Sequence, residues 1–88
     1  MSRVRYVHRR WGIDIIACIL KASRSGVRKT RLMRRCNLSF SQLKNYLNLA
    51  LKKELVIVEK TEFYTLFKIS NKGKAFLETY ESLEVLMA

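Results

Sequence analysis

The sequence predicts a small α+β domain in which three helices precede a two-stranded hairpin and a fourth helix closes the chain. Three observations carry this. Val27 to Glu54 reads as a short amphipathic helix, a tight polar break and a longer amphipathic helix. Two β-branched and aromatic runs follow, Leu55-Val56-Ile57-Val58-Glu59 and Tyr64-Thr65-Leu66-Phe67-Lys68-Ile69, separated by Lys60-Thr61-Glu62-Phe63, which is the spacing of a hairpin. Phe76, Tyr80, Leu83 and Met87 then recur at intervals of 4, 3 and 4, the seam of a helix. With 88 residues and 49% hydrophobic content, the chain builds one modest core and has no room for a second. The expected organisation is an arm over residues 1–10, a domain over 11–70 and a self-association helix over 71–88.

The arm interleaves Arg3, Arg5, Arg9 and Arg10 with Val4, Tyr6 and Val7. Two readings fit it. Basic arms of this kind lie along DNA and enter its minor groove; alternatively, the three- and four-residue spacing of Val4, Val7, Trp11 and Ile15 extends the first helix. From Trp11 to Ser23, Ile15, Ile16, Ile19 and Leu20 form a broad apolar stripe, and Ser25-Gly26 stops the helix. Val27-Arg28 is long enough for a minimal strand that pairs with the later hairpin.

The second helix starts near Lys29 or Thr30 and ends at Cys36. It offers Leu32, Met33 and Cys36 to the core. Arg28, Lys29, Arg31, Arg34 and Arg35 put five cations in eight residues with no acid among them. Like charges three and four apart repel, so a solvated face explains this run less well than a bound polyanion. Asn37-Leu38-Ser39 is the break. Ser39 caps the third helix, over residues 39–53, whose apolar side is Phe40, Leu43, Leu47, Ala50 and Leu51. Its opposite face holds Ser41, Gln42, Lys44, Asn45 and Asn48, donors and acceptors without a carboxylate, as suits a surface meeting base edges.

The hairpin tip carries Lys60, Thr61 and Glu62, a weak phosphate binder because Glu62 offsets the lysine. Phe63 and Tyr64 either pack on the core, the more common fate of aromatic rings, or project from the tip. Ser70 opens the last helix as a cap. Its first turns cover the domain, while Leu83, Leu86 and Met87 past Tyr80 outrun it and call for a partner. A homodimer through Phe76, Tyr80, Leu83, Leu86 and Met87 is therefore expected, with Glu78, Glu81 and Glu84 turning this end away from DNA.

The formal charge of +11 is uneven. Residues 1–35 carry eleven Lys/Arg against Asp14 (+10), residues 36–60 four against two (+2), and residues 61–88 three against four (−1). Such a footprint suits nucleic acid, because neutralised phosphates release counterions. No apolar run approaches the roughly 20 residues that span a bilayer, and no signal-peptide pattern follows Arg9-Arg10; the expected place is cytoplasmic, with the nucleoid.

Cys18 and Cys36, with His8 as the single histidine, make a poor zinc set. Both cysteines are expected to be core thiols, with a redox role as the alternative, and no metal or cofactor is expected. Asp14 is expected to be a surface partner of Arg10 or Lys21. No nucleophile sits beside a base, no glycine loop cradles phosphate and no carboxylates pair at helical spacing in a basic pocket, so the chain does not look like an enzyme. RNA binding would need an exposed aromatic platform, for which Tyr46 is the one candidate. A protein-protein scaffold would be expected to show a neutral or acidic recognition face.

The order helix, short strand, helix, helix, strand, strand, helix is that of the winged helix-turn-helix. Within that fold, Arg9-Arg10 before Ile15-Ile16-Ala17-Cys18-Ile19-Leu20, Lys29-Thr30-Arg31-Leu32-Met33, Asn37-Leu38-Ser39-Phe40, Leu43 with Tyr46-Leu47, and Ser70-Asn71-Lys72-Gly73 resemble the small archaeal winged-helix proteins. The resemblance spans about residues 9 to 80. It implies double-stranded DNA binding, with the third helix in the major groove and the wing along the flanking backbone. It also implies dimerisation through the last helix, which chromatin-associated members pair as an antiparallel coiled coil. Here that helix is shorter, and the arm before Arg9 lies outside the shared pattern. Members of the group include local regulators and proteins that coat DNA broadly.

Overall fold

A computed structural model describes residues 12–87. The arm with Arg3, Arg5, Arg9 and Arg10 therefore lies outside the described residues. Four helices and a two-stranded sheet follow one another in the expected order: α1 (Gly12–Ala22), α2 (Lys29–Arg35), α3 (Phe40–Lys52), β1 (Val56–Lys60), β2 (Thr65–Ile69) and α4 (Asn71–Met87). Ile15, Ile16, Ile19 and Leu20 of α1 form the centre of the core, and Leu32, Leu43, Leu47, Phe67, Ile69 and Leu77 close around them.

The break between α2 and α3 follows from two local devices. Asn37 sits in the left-handed region at φ 52, where asparagine is better tolerated than most residues. The Leu38 N–H donates to the Met33 carbonyl at 3.0 Å and the Asn37 N–H to that of Arg34 at 3.2 Å, the paired bonds of a Schellman stop. Ser39 then starts α3 with a reciprocal cap. Its hydroxyl accepts from the Gln42 N–H at 3.1 Å, and the Gln42 side-chain oxygen accepts from the Ser39 N–H at 3.0 Å, satisfying two donors that a helix start leaves open.

Phe40 corrects the expected apolar face of α3, because it is 59% exposed. Leu38, buried just before the cap, stands where a hydrophobic staple packs against the fourth helical residue, here Leu43. It closes the core at this end and leaves Phe40 outside. A second Schellman stop ends α3, with the Leu55 N–H on the Ala50 carbonyl and the Glu54 N–H on that of Leu51. Glu54 takes the left-handed position at φ 63, which costs a branched-chain-free but Cβ-bearing residue about 1 kcal/mol.

The wing pairs β1 with β2 antiparallel, from Val56 opposite Ile69 to Lys60 opposite Thr65. Lys60, expected at the tip, is thus the last ladder residue. The expected strand at Val27-Arg28 is one bridge, in which Val27 and Phe67 exchange both backbone bonds at 2.9 and 2.8 Å.

Ser70 caps α4 by accepting from the Gly73 N–H at 2.9 Å, and its hydroxyl donates to the Glu54 carbonyl at 2.6 Å. Gly73 is required there. A Cβ at this position would lie 2.2 Å from the Leu55 carbonyl oxygen, so only glycine lets α4 start against the chain entering β1.

α4 is anchored to α1 by Tyr80, whose hydroxyl donates to the Asp14 carboxylate. Lys21 lies 5.8 Å from the centre of the same ring. Asp14, expected to serve Arg10 or Lys21 at the surface, accepts from a hydroxyl 66 residues away; Arg10 lies outside the described residues. The bond to Asp14 raises the Tyr80 pKa above the usual tyrosine range; burial and the nearby charges of Asp14 and Glu84 push the same way.

Candidate nucleic-acid interface

α2 is built against its own stability. A helix start favours carboxylates and a capping oxygen. This one has Arg28 at the cap position with no side-chain cap, no acid in its first turn, and only seven residues. Arg28, Lys29, Thr30, Arg31, Arg34 and Arg35 are all exposed, and no carboxylate among the described residues pairs with these five cations. Exposed cations massed without counter-charge repel one another, and a polyanion relieves that repulsion.

Two concavities lie among these side chains. Gly26, Val27, Arg28, Thr30, Arg31, Arg34 and Leu66 enclose about 380 Å³ where α2 meets the wing, and Arg31, Arg34 and Arg35 border a second hollow of about 300 Å³. Arg28 is held towards the wing by its guanidinium, 4.8 Å from the centre of the Tyr64 ring, a cation–π contact that orients it without neutralising it.

α3 presents Ser41, Lys44, Asn45 and Asn48, all exposed, on one face because they are spaced by three and four. Gln42 is exposed too, but its amide oxygen is committed to the cap. Bidentate reading of adenine uses both amide atoms, so only the Gln42 Nε2 group is left to donate outward while the cap stands. Ser39 is likewise occupied as an acceptor, keeping its hydroxyl proton free to donate.

The wing tip is tied together by Thr61. The Thr61 Oγ1 accepts from the Phe63 and Tyr64 N–H groups at 3.2 Å each, and the Thr61 N–H donates to the Tyr64 carbonyl at 2.9 Å. Of the two fates open to the tip aromatics, projection is the one observed. Phe63 is 86% exposed, and Tyr64 lies under Arg28. The sequence placed Phe40 on the apolar face of α3 and left Phe63 open between core and projection, because an aromatic beside apolar neighbours more often packs inward.

The remaining expectations separate cleanly. Tyr46 is half-buried behind α3, with its ring 3.4 Å from where a Cβ on Gly12 would stand, so it supports α3 and offers no stacking platform. Cys36 is fully buried and Cys18 half-buried, both as free thiols. Phe76 and Tyr80 pack half-buried against their own domain, whereas Leu83, Leu86 and Met87 are exposed. Among the described residues no helix is long and apolar enough to cross a membrane, and no three His, Cys, Asp or Glu side chains gather in a metal-holding group.

Helix, break, capped helix and wing, with the cations beside the helix pair, define a winged helix-turn-helix. The chain belongs to the winged helix-turn-helix family, whose pattern it matches over residues 9–88. No curated protein is detectably similar in sequence. Among solved structures it is similar to Sso10a-2, a DNA-binding protein from Sulfolobus solfataricus, with a TM-score of 0.81 at 18% identity, covering 89% of this chain and 82% of that one. It is similar to AF1382 from Archaeoglobus fulgidus, with a TM-score of 0.71 at 13% identity over 92% and 91% of the two chains. The multiple antibiotic-resistance repressor MarR of Listeria monocytogenes aligns with a TM-score of 0.64 at 15% identity, over 83% of this chain and 57% of that one. At these identities the likeness is one of fold.

Proposed function

We propose that this chain binds double-stranded DNA as a transcriptional regulator of the nucleoid, acting by binding and not by catalysis. The observation that carries the reading is the row of unpaired, exposed cations on α2 beside the carboxylate-free face of α3. In this reading α3 enters the major groove, where Lys44, Asn45, Ser41 and Asn48 approach base edges and Phe40 contacts thymine methyl groups. Arg28, Lys29, Arg31, Arg34 and Arg35, with Thr30, grip the phosphates on either side. Arg3, Arg5, Arg9 and Arg10 extend the grip along the duplex, and Lys60 adds a wing contact. The relation to a DNA-binding protein of the same fold supports this, and the charge distribution makes it specific to this surface.

The capped Gln42 favours loose readout, because it removes one of the few side chains able to make a two-point base contact. Sequence-tolerant coating of DNA is therefore the second reading. A chain of this kind would act as a pair, through the exposed stripe of α4, on two half-sites. Titration of a duplex at several salt concentrations tests the proposal. Affinity should fall steeply with salt, with a log–log slope near −0.9 per phosphate neutralised. A flat dependence would sink it, and footprinting separates discrete symmetric sites from even coverage.

A further inference from the structure

An apolar groove of about 510 Å³ opens between the start of α1, the rear of α3 and the base of α4. Ile13, Tyr46, Leu49 and Phe76 line it, and Lys53 and Lys72 are the charged groups in its wall. Ile13 and Leu49 stand 47% and 41% exposed, so the groove holds apolar surface in water that a folded domain normally covers. The same chain carries a second uncovered apolar surface. At the end of α4, Leu83, Leu86 and Met87 are 49%, 81% and 84% exposed.

These two surfaces cannot meet within one molecule. α4 runs unbroken from Asn71 to Met87, and at 1.5 Å per residue its end stands about 16 Å beyond Phe76. They can meet between molecules. At 100° per residue, Leu83 and Met87 fall on the same side of α4 as Phe76, within about 20°, with Leu86 and Glu84 flanking that line on opposite sides. The final turn holds no cation, so Glu84 approaches a groove whose charges are both lysines.

We propose that the groove receives the C-terminal turns of α4 from a second copy of the chain. The proposal rests on the self-association stated above and adds its receiving surface, which is formed by α1, α3 and α4 together. Two copies related by a two-fold axis run their α4 helices antiparallel, so each tip reaches the other's groove and the assembly closes. Tyr46, Leu49 and Lys53 lie on α3, counting Lys53 as its C-cap. The tip of one copy therefore braces the rear of the other's recognition helix, and the length of α4 sets the distance between the two reading faces.

Sedimentation of the full chain, with cross-linking, tests this. The wild type should be a dimer. Leu83→Glu with Met87→Glu, and separately Leu49→Glu, should each raise its dissociation constant at least tenfold, because each replaces apolar contact in the seam with a charged group that must be desolvated. These positions are exposed in one copy, so thermal melting should report a folded monomer. Glu84→Arg should weaken the dimer, and Lys53→Glu with Lys72→Glu should restore it. A mixture of Leu49→Cys chains with Met87→Cys chains should give a disulfide-linked pair on mild oxidation, above the background from Cys18 and Cys36 in the unsubstituted chain. A dimer that needs Leu83 and Met87 but ignores Leu49→Glu and gives no cross-link pairs along α4 alone; the groove proposal then fails while self-association stands. A chain that stays monomeric overturns both. Linkage of Leu49→Cys to Val7→Cys within one chain would assign the groove to the arm and overturn the proposal.

Discussion

α2 and α4 break the rules of helix design in opposite ways, and each breach points to a different partner. α2 is seven residues long, starts on two cations without a side-chain cap, and leaves its charges unpaired. α4 is seventeen residues long and starts behind a serine cap with a glycine fitted against backbone, but it runs past its domain into exposed apolar residues. A short helix that concentrates like charge is held by tertiary packing of Leu32, and in the proposed reading its surface serves a polyanion. A long helix with an anchored base and a bare tip is held at one end, and in the proposed reading its tip serves another protein face. Local stability and functional surface are thus separated along the chain.

The largest effect should come from breaking the anchored end. Gly73→Ala forces a Cβ into the Leu55 carbonyl and should cost about 3 kcal/mol through overpacking, lowering the melting temperature by roughly 12–24 °C. Retention of the wild-type melting curve would show that α4 does not depend on this close approach. Breaking the cationic end should leave the fold intact. Arg34→Ala with Arg35→Ala should weaken binding to every duplex by roughly 10- to 100-fold and reduce the salt slope by about 2, with thermal stability within about 0.5 kcal/mol of wild type. Asn45→Ala, by contrast, should alter preference among sequences. If both variants act alike on all duplexes, affinity and specificity are not divided between α2 and α3.

Two smaller effects sharpen the account of the α4 anchor and of its junction with α3. Glu54→Gly relieves the left-handed glutamate and should stabilise the domain by about 1 kcal/mol, read from denaturant midpoints. Tyr80 tests the tie to α1 by pH. Its folded pKa is raised, so the stabilisation it supplies is fully present below the unfolded tyrosine value of about 10 and is lost as pH rises through the folded value. Melting temperature should therefore fall in alkali, and Tyr80→Phe should make that fall shallower. An unchanged alkaline profile in the variant would remove Tyr80 from the anchor.

Much of this fold was legible in the sequence because periodicity is a local property. Ile15, Ile16, Ile19 and Leu20 at helical spacing, the Asn37-Leu38-Ser39 break and the two β-branched runs each encode their element within a few residues. The exposed cationic face of α2 was legible because a charge run without acids stays in solvent whatever the packing. Other sites were not, since their fate depended on neighbours distant in the chain. Phe40 has the spacing of a core residue and lost that place to Leu38. Phe63 sits between strand residues but beyond the point where the sheet has a domain beneath it.

The amino-acid sequence by itself determined the order of the elements, the cationic α2 and the bare end of α4, because hydrophobic periodicity and formal charge do not wait for a fold. The tertiary structure alone decided that Tyr80 serves Asp14, that Gly73 must be glycine, and that α1, α3 and α4 leave a groove between them. Those features join residues up to 66 positions apart, and a juxtaposition of that kind exists only once the chain has closed on itself.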